Sequence, residues 1–143
     1  MTSTGAQALI LGGALTSLAA IAHLACVVLG PSAFRLMGAG ERMARAVEAG
    51  KVRPILVALG IAVVLAACAA YAFSAAGLIK PLPFTQWVLL AITTVFLGRG
   101  FGFALLKPAF PENSNTFWLV SSGICLVIGA LHAWGTAAVW APP

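Results

Sequence analysis

Four stretches of this chain, residues 6–29, 54–79, 84–106 and 115–139, are nearly free of charge, and together they hold a single ionised side chain, Arg99. A membrane-crossing helix needs about 20 predominantly apolar residues, so each stretch is long enough to span a bilayer. With 62% hydrophobic and 8% charged residues and a mean hydropathy of +1.05, no water-soluble surface can be assembled from what remains. The expected fold class is therefore all-α: an integral membrane bundle of four transmembrane helices, forming one domain over residues 1–143.

The connections give the expected orientation. Residues 6–29 end at Gly30-Pro31, a pair that stops a helix and turns the chain. Arg35, Arg42, Arg45, Lys51 and Arg53 follow, against only Glu41 and Glu48. An excess of Lys and Arg in a short loop marks the cytoplasmic side, which predicts a multi-pass membrane protein with both termini periplasmic. The first stretch lacks a basic n-region and is longer than a signal-peptide core, so it is expected to remain as a helix.

Within the basic loop, Met43, Ala44 and Val47 oppose Arg42, Arg45 and Glu48, predicting a short amphipathic helix over 41–49 in the first inner loop. Pro54 can open the second crossing without costing a hydrogen bond, and Ala58, Ala62, Ala66, Ala69 and Ala70 offer it a small-residue face. The short Lys80-Pro-Leu-Pro83 link predicts that the second and third crossings are antiparallel neighbours. Gly98 and Gly102 form a GxxxG pair, which predicts tight helix packing or self-association. Ser114 or Asn115 can cap the fourth crossing, with Trp87, Trp118, Trp134 and Trp140 as interfacial anchors. Leu29-Gly-Pro-Ser-Ala-Phe34 and Leu106-Lys-Pro-Ala-Phe110 leave their helices in similar ways, pointing to two related hairpins.

Arg99 is the residue least expected in lipid. An ionisable group inside a membrane is a functional-site hypothesis by default, although a long side chain near a helix end can also snorkel to the headgroups. At a rise of about 1.5 Å per residue, Arg99, His23, Cys26, Ser121 and Ser122 fall in the inner half of the bundle. These five are the candidate ligand-binding residues. A cation, an imidazole and hydroxyls without a carboxylate suit an anion, a headgroup phosphate or a polar small molecule.

The same rise separates His23 from His132 by roughly 15–20 Å along the normal, too far for both to ligate one haem iron. His132 is expected near the outer interface. No catalytic set with an orienting acid can be built, the three cysteines form no C-x-x-C pair, and neither a metal nor a cofactor is expected. Nucleic acid is excluded as a partner, because the basic residues crowd one loop without interleaved aromatics.

The runs Gly38-Ala-Gly-Glu-Arg-Met-Ala-Arg-Ala-Val-Glu-Ala-Gly50, Tyr71-Ala-Phe-Ser-Ala-Ala-Gly77 and Ser121-Ser-Gly-Ile-Cys125 resemble an uncharacterised family of small four-helix inner-membrane proteins of proteobacteria. That resemblance implies topology and bacterial origin, not an activity. Two functional expectations follow from the residues: a protein that binds or transports a polar or anionic small molecule or lipid headgroup through an inner-half pocket, or an accessory subunit of a larger membrane complex. Catalysis is disfavoured by the missing acid. The expected partners are the lipid bilayer and either a second copy of the chain or another membrane protein.

Overall fold

The computed structural model describes residues 3–140 and is helical throughout its ordered elements. Helix α1 (Thr4–Leu29) begins at Ser3, whose hydroxyl accepts from the Ala6 amide at 3.2 Å. Short helices α2 (Pro31–Leu36) and α3 (Glu41–Glu48) fill the basic loop. Helices α4 (Arg53–Ala75), α5 (Thr85–Phe101), α6 (Phe103–Leu106) and α7 (Asn115–Trp140) complete the chain, with one 3-10 turn at Lys107–Ala109. The expected domain also took in residues 1–2 and 141–143, which lie outside the described residues.

Helices α1, α4 and α7 are each long and apolar enough to cross a membrane, and α5 with the segment beyond its bend makes a fourth if taken as one broken span. They associate as two hairpins. α1 packs most extensively on α4, α5 on α7, and α1 on α7 joins the pairs, while α4 and α5 touch only lightly. The close neighbourhood expected of the second and third crossings is therefore the weakest side of the bundle. The α1–α4 seam uses the alanine face, with Ala58, Ala62 and Ala69 buried and Ala66 exposed.

Antiparallel pairing brings both described ends of the chain to one end of the bundle. Trp87 and Trp140 meet edge to face there, with ring centroids 5.6 Å apart. The opposite end carries both longer connections, which are fastened to each other: Asn113 Nδ2 donates to the Gly38 carbonyl at 3.0 Å. On α2, Arg35 donates to both Glu41 and Glu48 of α3 at 2.8 Å, so the acids of the basic loop are already occupied.

Three boundaries and one packing seam differ from expectation. Helix α2 replaces a simple turn after Gly30, because Pro31 has the φ and the dispensable N–H of a first helical residue. The second crossing ends at Ala75 rather than near residue 79: Gly77 takes φ 79°, and the Gly77 and Leu78 amides donate back to Ser74 and Phe73. This is the glycine-terminated helix end in which returning N–H groups satisfy the last carbonyls.

The third correction concerns 84–106, which is not one straight helix. It breaks at Gly102 and bends by 68°. The 17-residue α5 is only about 25 Å long, and the apolar residues 103–106 run on beyond the bend, exposed. The fourth correction concerns packing. Gly98 faces open space and Gly102 caps α5, so the GxxxG pair makes no seam within the chain. The close approach of α5 to α7 uses Gly100 against Leu126 and Gly129 against Leu97 instead, where an added Cβ would sit 2.6 and 2.7 Å from those leucine side chains.

Candidate functional site

The register of α1 against α7 determines which polar residues share a level. Positions Gly5 and Ala138, Leu9 and Gly135, and Gly12 and Leu131 face each other across this seam. Continued toward the loop end, the same register sets His23 level with Val120 and Ser121. Arg99, in the last turn of α5, reaches that level from the other side of α7.

The Arg99 Nη2 donates to Ser121 Oγ at 3.0 Å, and its guanidinium carbon lies 4.9 Å from the centroid of the Trp118 ring. Both contacts suit a cation in a low-dielectric setting, where a guanidinium over an indole face gains on the order of 1–2 kcal/mol. The last turn of a helix is also the end at which its dipole favours positive charge.

What these contacts leave unsatisfied is more informative. Arg99 Nη1, Trp118 Nε1 and Ser122 Oγ are all buried without a hydrogen-bond partner. Trp118, Ser121 and Ser122 occupy positions i, i+3 and i+4, one face of α7. Two of the three orphans are N–H donors, the third is a hydroxyl, and no carboxylate lies in any of the long helices. An orphaned donor costs about 1–3 kcal/mol, more when charged, so the arrangement calls for an acceptor.

Of the five residues expected to meet, Arg99 and Ser121 are in contact, with Ser122 buried beside them. His23 is half-buried and its Nδ1 bonds the Ala19 carbonyl at 2.8 Å, so it shares the level without joining the cluster. Cys26 is elsewhere: it is buried with Phe34, Ala44 and Ala58 on the side of α1 that faces α2, α3 and α4.

Trp118 is the residue the sequence reading missed. Expected as an interfacial anchor, it is 3% exposed and forms the floor of the site. Its spacing from Ser121 and Ser122, together with the level of Arg99, was the signal available.

His132 is a second correction. It is fully buried rather than interfacial, stacked on Phe96 with centroids 5.8 Å apart and facing Gly12 of α1. Its Nδ1 bonds the Ile128 carbonyl at 2.9 Å and its Nε2 has no partner. The Thr93 and Thr136 hydroxyls lie 3.4 Å apart on the same two helices, so the terminal half has buried polar groups of its own.

Among the described residues no three His, Cys, Asp or Glu side chains gather as a metal site. No family model matches the chain, and neither a curated protein nor a solved structure matches it.

Proposed function

We propose that the protein is a four-span membrane protein of the bacterial inner membrane that binds an anionic amphiphile or small anion through Arg99, Trp118, Ser121 and Ser122. The supporting observation is that Arg99 Nη1 and Nε1 of the Trp118 ring beneath it are buried without partners, as is Ser122 Oγ on the same face of α7, while no acid of the long helices neutralises the guanidinium. A phosphate or carboxylate would accept from Arg99 Nη1 and Trp118 Nε1, and the planar fork of arginine is the side chain that best matches such a group. Catalysis is not part of the proposal, because no base with an orienting acid stands near the site.

The basic connection supports placing the loop end in the cytoplasm and both termini in the periplasm. The resemblance to small four-helix proteins of proteobacteria is compatible with that orientation. A reporter active only in the cytoplasm, fused after Pro143, should stay silent; activity there would reverse the orientation.

Purified in mild detergent, the parent protein should retain an anionic ligand visible by native mass spectrometry, and Arg99→Lys should lose it. Equal occupancy in the parent, Arg99→Lys and Arg99→Ala would overturn the binding proposal. The accessory-subunit reading draws on Gly98, which leaves a shallow opening on the outward side of α5. A stoichiometric second protein in a mild-detergent pull-down, lost in Gly98→Leu, would favour that reading.

A further inference from the structure

Arg42, Arg45, Lys51 and Arg53 line a cavity of about 470 Å³ between α3 and the start of α4. That volume falls within the range of about 300–1,000 Å³ common for small-molecule sites. Met43 and Pro54 supply an apolar wall, and no acidic side chain lines the cavity. This site is separate from the Arg99 cluster and uses none of its residues.

One cation of the cavity, Arg45, already holds an acid of the loop, donating to Glu41 at 3.1 Å. Arg35 takes up Glu41 and Glu48, while Glu41 and Glu112 line a second depression that shares Arg42 and Arg45 with the first. Lys51 and Arg53 are left with no carboxylate among the described residues.

Their position makes that more consequential. They stand at the N-terminal end of the 23-residue α4, whose first turn has no acid and whose Val52 cap makes no side-chain bond. A helix dipole places positive charge at this end, so cations here repel it unless an anion intervenes.

We infer that this cavity binds a ligand carrying two phosphate groups, one held by Lys51 and Arg53 at the start of α4 and the other by Arg42 and Arg45. A lipid headgroup and a soluble diphosphate share this chemistry. The apolar wall and the position at the end of a membrane-length helix suit the lipid source, since basic pockets beside transmembrane helices are where such headgroups dock.

The test uses the full chain in detergent and native mass spectrometry with three probes: diphosphatidylglycerol, phosphatidylglycerol and inorganic pyrophosphate. The two-phosphate lipid should be retained about tenfold better than the one-phosphate lipid. The double variant Lys51→Gln, Arg53→Gln should lose about twenty-five-fold of that retention, roughly fivefold per charge. Lys80→Gln, which removes the same charge from the opposite end, should lose none.

Pyrophosphate that is retained and displaces the lipid assigns the site to a soluble diphosphate; failure to displace assigns it to the lipid. The ligand-free double variant should melt no lower than the parent, because a repulsion has been removed. Equal retention in parent and double variant, equal retention of the one- and two-phosphate lipids, or a lowered melting temperature accompanying the loss would each overturn the inference.

Discussion

The two histidines make the same local bond and have opposite fates. In each, Nδ1 lies within 3 Å of the carbonyl four residues earlier, which makes Nδ1 the donor. His23 is half-buried toward the loop end, while His132 is sealed in the terminal half between Gly12 and Phe96. The difference is made by the opposing helix. At Gly12 the missing side chain lets an imidazole fill the α1–α7 seam, and the seam closes around it. Near His23 no such glycine contact draws α7 in; and where the terminal half leaves one imidazole nitrogen of His132 unpartnered, the Arg99 level leaves two N–H donors and a hydroxyl. The terminal half is thus closed around its ring, and the loop half holds the buried N–H donors on which the binding proposal rests.

Truncating the two rings should separate these halves most widely. His132→Ala should lower unfolding stability in detergent by about 2–4 kcal/mol, the cost of a cavity in a packed core, whereas His23→Ala should cost less than about 1 kcal/mol. Comparable losses at the two positions would erase the contrast.

A smaller effect is expected from filling the glycine. A Cβ at Gly12 would fall 2.9 Å from both Cε1 and Nδ1 of His132, so Gly12→Ala should cost about 1–3 kcal/mol by overpacking. Gly60→Ala on the exposed side of α4 meets nothing within 4 Å and should cost nothing. Thermal melts of the two variants side by side would show it.

Much of this was legible in the sequence. The apolar runs, Gly30-Pro31, the amphipathic loop helix and the cap at Ser114, whose hydroxyl accepts from the Phe117 amide at 3.0 Å, are local signals, and local physics decided them. The bend at Gly102 was hidden because residues on both sides are apolar, and hydropathy reports composition rather than direction. The burial of His132 was hidden because the space for it is made by Gly12, on another helix. Trp118 was misplaced for a similar reason: a tryptophan near a helix end reads as an anchor until a cation is found above it.

The smallest effect belongs to the surface cluster outside the bundle. Hydrogen bonds from Arg35 and then Arg45 hold the Glu41 carboxyl down at about 2. A carboxylate lowered in the folded state contributes stability that is present above its ordinary value near 4.5 and is lost as pH falls through the folded one. The Glu41 carboxyl resonance should accordingly titrate near 2, and Arg35→Gln should move that midpoint up. A parent midpoint in the ordinary carboxylate range would show that the cluster does not hold in solution.

The most direct test of the contrast between a closed half and an accepting one is the guanidinium ¹⁵N spectrum of Arg99 during titration with a long-chain alkyl phosphate. The Arg99 Nη signals should shift saturably together with the Trp118 indole N–H, and the His132 ring should not shift. Arg99 and Trp118 signals that stay fixed while phosphate saturates the micelle, or a His132 signal that moves with them, would contradict it.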